Sequence, residues 1–434
     1  MMQKIVIIGA GPAGLLLAHY LLARGHYQVE IYERRPDPRR VKQSDQRVFP
    51  ISLQARGMSA IRAIPGLEAA LSEKGVWAKG VFLHRSKGQP RKIERKTPQL
   101  LIERNQLTLA LLQHLLAGYG GEALTITFDC ACVGINQDSQ TVTLQPTAGE
   151  PFTVRFDRLV GADGVRSQVR EALVASGDMH CQQELVPQRY KPLFVSRVSQ
   201  DKTIELAADC IHRWDLGKRA LVLMTPQRGD RLSGIVIFLP GINPLELFTT
   251  DEAVLAYFQA KCPSLGQVMT LENTADLRQR PVSKLITVKC DRMHVGDRIL
   301  LIGDAVHAVT PSISQGCNAS LQDVMVFAQQ LDQFQDDWSQ TLPAFTAQRL
   351  PDVHALRDLS DYCFPLSKLM IPEFLFRVTL GRKLNHWFPQ LFKPFPLELI
   401  VDGDLPYSEV LKQCQGWINR VRRSAPPQLK SSKA

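Results

Sequence analysis

Three short stretches of the chain carry residue types that can hold a dinucleotide. The first is Gly9-Ala10-Gly11-Pro12-Ala13-Gly14, between the apolar β-branched run Lys4–Ile8 and a helix expected over about 13–23. Gly9 permits the tight turn, Gly11 lets a pyrophosphate approach the backbone, and Gly14 lets helix and strand pack closely. The phosphates then meet the free N–H groups and positive dipole of the helix start. Glu33 closes the next expected strand, 29–33, where an acid should hold a ribose hydroxyl. The second stretch is Leu159-Val160-Gly161-Ala162-Asp163-Gly164-Val165-Arg166-Ser167, a strand running into an Asp-Gly pair. The third runs from Gly303-Asp304 through His307 and Pro311 to Gln315-Gly316-Cys317-Asn318-Ala319. Asp304 can accept a hydrogen bond from a sugar hydroxyl, and the helix start after Gly316 can face an electron-rich ring oxygen. No Ser/His/Asp triad or metal-ligand spacing accompanies them, so neither a side-chain nucleophile nor a metal is expected. The nine cysteines form no CxxC pair and read as small buried hydrophobes of a reduced compartment.

These residues need a scaffold of some size. The chain has 434 residues, 44% apolar and 22% charged, which suits two or three soluble domains and excludes disorder, collagen and a polytopic membrane protein. No run of about 18 uncharged apolar residues predicts a spanning helix, and the glycine-interrupted start is not read as a signal peptide. The net charge of +10 is spread along the chain, with concentrations at Arg34–Lys42 and Arg420–Lys433, and no nucleic-acid module is visible. Helices are expected near 53–64 and 104–116, a β-meander over 123–160, a separate antiparallel sheet over 190–290, a buried strand at 298–303 and a helix over 319–332. From 338 to 421 the chain reads as helical, broken by Pro351, Pro365, Pro372, Pro389, Pro394 and Pro396. The dinucleotide domain is thus discontinuous (1–75, 101–185, 291–340). It is interrupted by substrate-domain strands (76–100, 186–290) and followed by a helical region (341–423) and a disordered tail (424–434).

In this order and at similar spacing, the three stretches resemble the class A flavoprotein aromatic hydroxylases, the p-hydroxybenzoate hydroxylase-like family, over about residues 3–350. Arg47-Val48-Phe49-Pro50-Ile51-Ser52-Leu53, Arg56-Gly57, Asp323, Arg349-Leu350-Pro351-Asp352 and Asp358-Leu359-Ser360 are similar to the kynurenine 3-monooxygenase branch. The resemblance implies an α/β (mixed α+β) fold: a Rossmann-like FAD-binding domain with an inserted antiparallel substrate sheet and a helical C-terminus. It implies that Gly9, Gly11, Gly14, Glu33, Arg104, Asp163, Gly164 and Asp304 hold FAD, with Asp163 also serving NAD(P)H. Gly316, Cys317 and Asn318 would face the flavin ring and Pro311 would sit over its edge. Arg34, with Arg35, Arg39, Arg40 and Lys42, is a candidate site for the extra phosphate of NADPH. His307 is expected to pack the turn after Asp304 rather than act as a base.

The implied activity is hydroxylation of a small aromatic substrate with NAD(P)H and O2, through a flavin hydroperoxide. An FAD reductase on the same fold, such as those saturating isoprenoid chains, and a flavin-binding protein without turnover remain alternatives. The chain departs from the branch where an Arg should clamp a substrate carboxylate. That position falls near Val81, with Lys79, His84 and Arg85 nearby, and supporting polar positions fall near Thr379 and Pro396. A cytoplasmic monomer or homodimer is expected. The aromatic and basic segment Ile371–Val401 reads either as a pocket lid or as a peripheral membrane surface.

Overall fold

The computed structural model describes residues 2–41, 50–85, 88–217, 220–239, 243–388, 390 and 395–425. Lys42, Arg47, Val48, Phe49, Pro389, Pro394 and residues 426–434 of the expected tail lie outside the described residues. The first apolar run forms the strand Gln3–Ile8, buried without alternation from Ile5 to Ile8, as a strand covered on both faces must be. Tyr27–Tyr32 and Arg158–Gly161 flank it, both parallel. Ile299–Leu301 and Leu124–Thr127 extend the two sides in parallel, and His294–Val295 closes one edge antiparallel. This sheet therefore draws its strands from widely separated parts of the chain. The helix Pro12–Leu22 lies against the helices Arg104–Gly118 and Gly316–Gln333, and nine of its eleven residues are buried.

A second sheet has eight strands in the order Ser283–Cys290, Cys181–Ser196, Arg231–Phe238, Ala220–Pro226, Cys210–Gly217, Val76–His84, Arg91–Glu103, Pro50–Leu53. It is not wholly antiparallel as expected. Cys210–Gly217 pairs parallel with Val76–His84, because these strands come from distant stretches joined by no hairpin. One face carries Trp214, Val222, Met224 and Val236 against helices Asp251–Lys261 and Leu271–Gln279, which alternation alone did not predict. The other face presents Ala78, Leu101 and Ile211, with Val81 and Leu223 beside them.

The expected meander over 123–160 is divided. Cys130–Asn136, Thr141–Pro146 and Phe152–Arg155 form a small antiparallel sheet, while the flanking strands join the parallel one. Pro351 does not break its helix. Trp338–Tyr362 is continuous and contains both Pro343 and Pro351. Burial of Leu356 and Leu359 against the helix Tyr407–Ser424 outweighs the backbone hydrogen bond that a proline removes.

Candidate functional site

The three glycine-marked turns meet at the ends of the central parallel strands. Gly9 has φ +107°, and a Cβ there would lie 2.6 Å from Ala162 O and 2.9 Å from Asp163 Cα. A Cβ on Gly14 would lie 2.1 Å from Gly9 O. Both positions thus exclude a side chain by contact with backbone. Gly11 differs: its Cβ would point into open space, with Arg104 Nη2 across from it at 3.8 Å. Gly11 is also the N-cap of Pro12–Leu22 and supplies no side-chain cap, so the helix's first N–H groups are open to an anion. Arg104 begins the helix Arg104–Gly118. Glu33 Oε2 accepts from Ala10 N at 2.9 Å and Oε1 from Arg35 N at 3.0 Å, which holds the carboxylate beside the turn. An open helix start facing a guanidinium, with a carboxylate one strand over, fits the pyrophosphate and ribose of FAD.

Asp163 Oδ2 accepts from Gln168 N at 2.7 Å and from Val169 N, at the first turn of the helix Gln168–Ala175. Its Oδ1 is sealed and without a partner among the described residues, and burial pushes the carboxyl up. Gly164, at φ +81°, makes the turn that follows. Arg170 was not anticipated from the sequence. It donates to Ala305 O at 2.9 Å and Val165 O at 3.0 Å, tying the second motif to the third. Its place in the first turn of the helix Gln168–Ala175, just after the second motif, was the available signal.

Gly303 takes φ +63° with Ser320 against it, and Asp304 is exposed at the mouth of the site. Cys317 lies close by: burial pushes its thiol up to about 12, and the Asp304 charge adds to the effect. Gly316 starts an 18-residue helix without a side-chain cap, and a Cβ on it would meet nothing nearer than Val309 at 3.8 Å. Asn318 has its side chain committed elsewhere. Its Oδ1 accepts from Gln54 N at 2.8 Å, and its Nδ2 donates to Ser52 O at 2.9 Å and Ser314 O at 3.0 Å. Its backbone N–H is what it can offer a flavin. Pro311 opens a single 3-10 turn ahead of this helix.

Beneath this turn lies a buried ionic network. Asp323 accepts from Gly303 N at 2.9 Å, pairs with His307 Nε2 at 2.5 Å and receives Arg349 Nε at 2.7 Å. Arg349 also meets Asp352 at 2.5 Å, and Asp352 caps Ser408 N at 2.8 Å. Burial acts to raise the Asp323 carboxyl, but the His307 and Arg349 charges outweigh it and hold it below its ordinary value. His307 is therefore a support for the turn, as its sequence context suggested. A second chain, also unanticipated, runs from Tyr407 Oη to Gln315 Oε1 at 2.6 Å and from Gln315 Nε2 to Gln54 Oε1. Arg56, stacked over the Tyr407 ring at 4.4 Å, binds the carbonyls of Ile400 and Leu405.

Other sequence candidates lie apart. Lys79 is exposed and pairs with Asp209 at 3.7 Å. His84 stacks on Trp214 with ring centroids 4.3 Å apart. Thr379 is exposed and bonds Leu375 O. Arg39 pairs with Asp37 at 2.6 Å, while Arg34 and Arg40 are exposed.

The fold and the cradle define a dinucleotide-binding flavoprotein with a second, eight-stranded sheet. A family model described as an FAD binding domain matches residues 2–360. The kynurenine 3-monooxygenase of Salinispora arenicola is 30% identical over 97% of this chain and 93% of its own length. The violacein synthase of Chromobacterium violaceum is 28% identical over 95% and 97%. Among solved structures, 2-methyl-3-hydroxypyridine-5-carboxylic acid oxygenase superposes with a TM-score of 0.68 at 20% identity, covering 92% of this chain and 96% of that one. The chain belongs to the FAD binding domain family, and it is an FAD-dependent monooxygenase of the kynurenine 3-monooxygenase-like kind.

Proposed function

We propose that the protein hydroxylates a small electron-rich aromatic compound, of which L-kynurenine is the first to test, and that it takes NADPH in preference to NADH. The observation that carries the reading is the convergence of the open helix start at Gly11, the Arg104 guanidinium and the Asp304 carboxylate on one cradle. Bound FAD would accept hydride from NADPH and activate O2 for insertion of one oxygen atom into the ring. The chain's own residues then have defined tasks. The N–H groups after Gly11, with Arg104, hold the pyrophosphate, and Glu33 takes the adenosine ribose. Asp304 takes the ribityl hydroxyls. Gly316 and the N–H groups of Cys317 and Asn318 direct the positive end of an 18-residue helix at the flavin ring. Pro311 walls the edge of the ring. Asp163 and Gly164 support the pyrophosphate side, and the exposed Arg34 and Arg40, on the stretch after Glu33, suit the 2′-phosphate of NADPH.

The covering segment after Ser367 is read as a membrane-facing surface as well as a lid. Phe374 and Phe395 pack with Trp417 inside, whereas Leu369 is 90% exposed, Trp387 66% and Phe388 51%. Outward apolar side chains at this density suit the headgroup layer of a bilayer. No helix among the described residues is long and apolar enough to cross a membrane. None of the nine cysteines is in a disulfide, which accords with a reducing cytoplasm. The test is direct: purified protein should be yellow with one FAD, and L-kynurenine should accelerate NADPH oxidation with formation of a hydroxylated product. FAD-loaded protein that oxidises NADPH without hydroxylating any aromatic compound would favour a reductase.

A further inference from the structure

Two cysteines that face each other stand apart from the rest. Cys181 opens the strand Cys181–Ser196, Cys290 closes the strand Ser283–Cys290, and the two are direct partners in the antiparallel register. The backbone bonds around them fix which kind of pair they form. Asp291 N donates to His180 O at 3.0 Å, one step beyond the pair. Val288 N turns away to Ala308 O at 2.8 Å, and Cys290 O turns away to accept from His354 Nε2 at 2.9 Å. Cys181 and Cys290 are thus a non-hydrogen-bonded pair, where opposed Cα atoms come within about 4.5 Å and side chains lie closest. That spacing falls inside the range a disulfide spans, about 4.4–6.8 Å.

The two thiols also differ from their fellows in acidity. Burial pushes the thiols of Cys130, Cys132, Cys210, Cys262, Cys317 and Cys363 up. Cys181 moves the other way. The hydrogen bond from Cys290, with the Arg170 charge adding to it, outweighs burial and brings Cys181 down to about 7. The same bond, with burial, pushes Cys290 up. Cys181 is half-buried and Cys290 buried, so the sulfur that ionises is also the one solvent reaches. The charges around the pair are Arg170 and Glu171 on the helix Gln168–Ala175 and Asp291 at the strand end. Arg170 Nε is sealed and has no partner among the described residues, and a Cys181 thiolate adds to the negative charge that balances it. Arg170 in turn ties the second motif to the third through Val165 O and Ala305 O, which joins the pair to the flavin cradle.

We propose that Cys181 and Cys290 are a redox modification site at which hydrogen peroxide makes a reversible disulfide. The site does not depend on which aromatic compound is the substrate. Peroxide is at hand in a flavin enzyme, since reduced FAD forms it whenever O2 takes its two electrons and no substrate is hydroxylated. The Cys181 thiolate attacks one peroxide oxygen; the S–O bond forms, the O–O bond breaks, and the departing hydroxide takes up a proton to leave as water. Cys181 is then a neutral sulfenic acid, so the charge that held Cys290 protonated is gone. Cys290 Sγ attacks Cys181 Sγ, the S–O bond breaks, and the second hydroxide leaves with the Cys290 proton as water. Two thiols and one peroxide give one disulfide and two waters; the sulfurs lose two electrons and the peroxide gains them.

The test treats FAD-loaded protein with a small excess of hydrogen peroxide, blocks the remaining thiols with N-ethylmaleimide and maps peptides without reductant. The nine free thiols should fall by two, and the Cys181 and Cys290 peptides should appear joined. Dithiothreitol should restore both thiols. The pair should react at least about tenfold faster than any of the other buried cysteines. Cys290→Ser should leave Cys181 as a sulfenic acid that dimedone traps, and Cys181→Ser should keep its thiols at the same dose. Cys132→Ser should behave as wild type. Survival of all thiols, a bridge between other cysteines, or Cys181 carried on to sulfinic acid without joining Cys290 would each overturn the proposal. The wild-type peptide map decides even where a variant fails to fold.

Discussion

Two aspartates nineteen residues apart illustrate how differently carboxylates act in this protein. Asp304 is exposed and has no hydrogen-bond or ion-pair partner among the described residues, so removing it should cost little stability. Its loss should weaken FAD binding by about 1.5–3 kcal/mol, the worth of a charge-assisted hydrogen bond. Reconstitution of apoprotein carrying Asp304→Ala, followed by flavin fluorescence, checks this; full affinity would remove Asp304 from the site. Asp323 is fully buried and holds Gly303 N, His307 and Arg349 together. Asp323→Asn should destabilise the fold by roughly 3–5 kcal/mol, because Arg349 would be left partly uncompensated. Its folded carboxyl is held below the ordinary value. The stability it adds is therefore present above the unfolded pKa and lost as pH falls below it. Thermal unfolding at saturating FAD, from neutral to acid pH, reads both effects.

At the scale of elements, the parallel pairing of Val76–His84 with Cys210–Gly217 creates a second titrating feature. His84 Nε2 lies 2.9 Å from His212 Nδ1, His212 Nε2 is 2.9 Å from Ala207 O, and His84 Nδ1 is 3.2 Å from Ser264 Oγ. Ser264 Oγ in turn accepts from Trp214 Nε1 at 3.1 Å. A carbonyl accepts and an indole donates, so the chain of bonds closes with both imidazoles neutral. Burial, with His212 adding, lowers His84 to about 4. Between the ordinary histidine value of about 6.5 and pH 4 the unfolded chain binds the extra proton, so stability falls as pH drops through that window. Urea unfolding of wild type should weaken from pH 7 to pH 5, and His84→Gln should lose less over the same interval. An identical pH dependence in the two proteins would show that the pair contributes nothing.

This feature also marks the limit of reading the sequence. The strand Gln3–Ile8, its glycine turn and the helix after it were legible because local pattern and tertiary role coincide. Helix Leu271–Gln279 and the strand Pro50–Leu53 were not, because their apolar positions are set by partners far along the chain. Asp163 and Asp304 stood out beside glycines and Glu33 by its spacing from Gly14, and the structure places them around one cradle. Arg170 and the Tyr407–Gln315–Gln54 chain carry no local signature, since each is defined by what folds against it.

At the scale of the molecule, the helical C-terminus has two surfaces. The inner one packs Tyr407, Val410, Trp417 and Ile418 onto Leu356 and Leu359. The outer one leaves Leu375, Phe376, Trp387 and Phe388 in solvent, a patch that soluble monomers rarely keep without a use. The protein should sediment with anionic liposomes at low salt and be released in part at high salt. The double substitution Trp387→Ser, Phe388→Ser should reduce the pelleted fraction while leaving FAD content unchanged. Protein that stays in the supernatant at low salt would assign the aromatics to the pocket cover alone.

The strand order of the parallel sheet has a consequence for synthesis. Gln3–Ile8 leaves the ribosome first, yet its neighbour Arg158–Gly161 follows about 150 residues later, and that strand's own partner Ile299–Leu301 later still. At a few residues to some twenty per second, the nucleotide turn waits many seconds with one flank of its strand uncovered. Gly9 cannot be locked against Ala162, nor Asp304 reach the cradle, until those later segments emerge. Ribosome-stalled chains ending before Gly316 should therefore capture no FAD, and their apolar N-terminal strand should be a binding site for whatever chaperone attends the nascent chain.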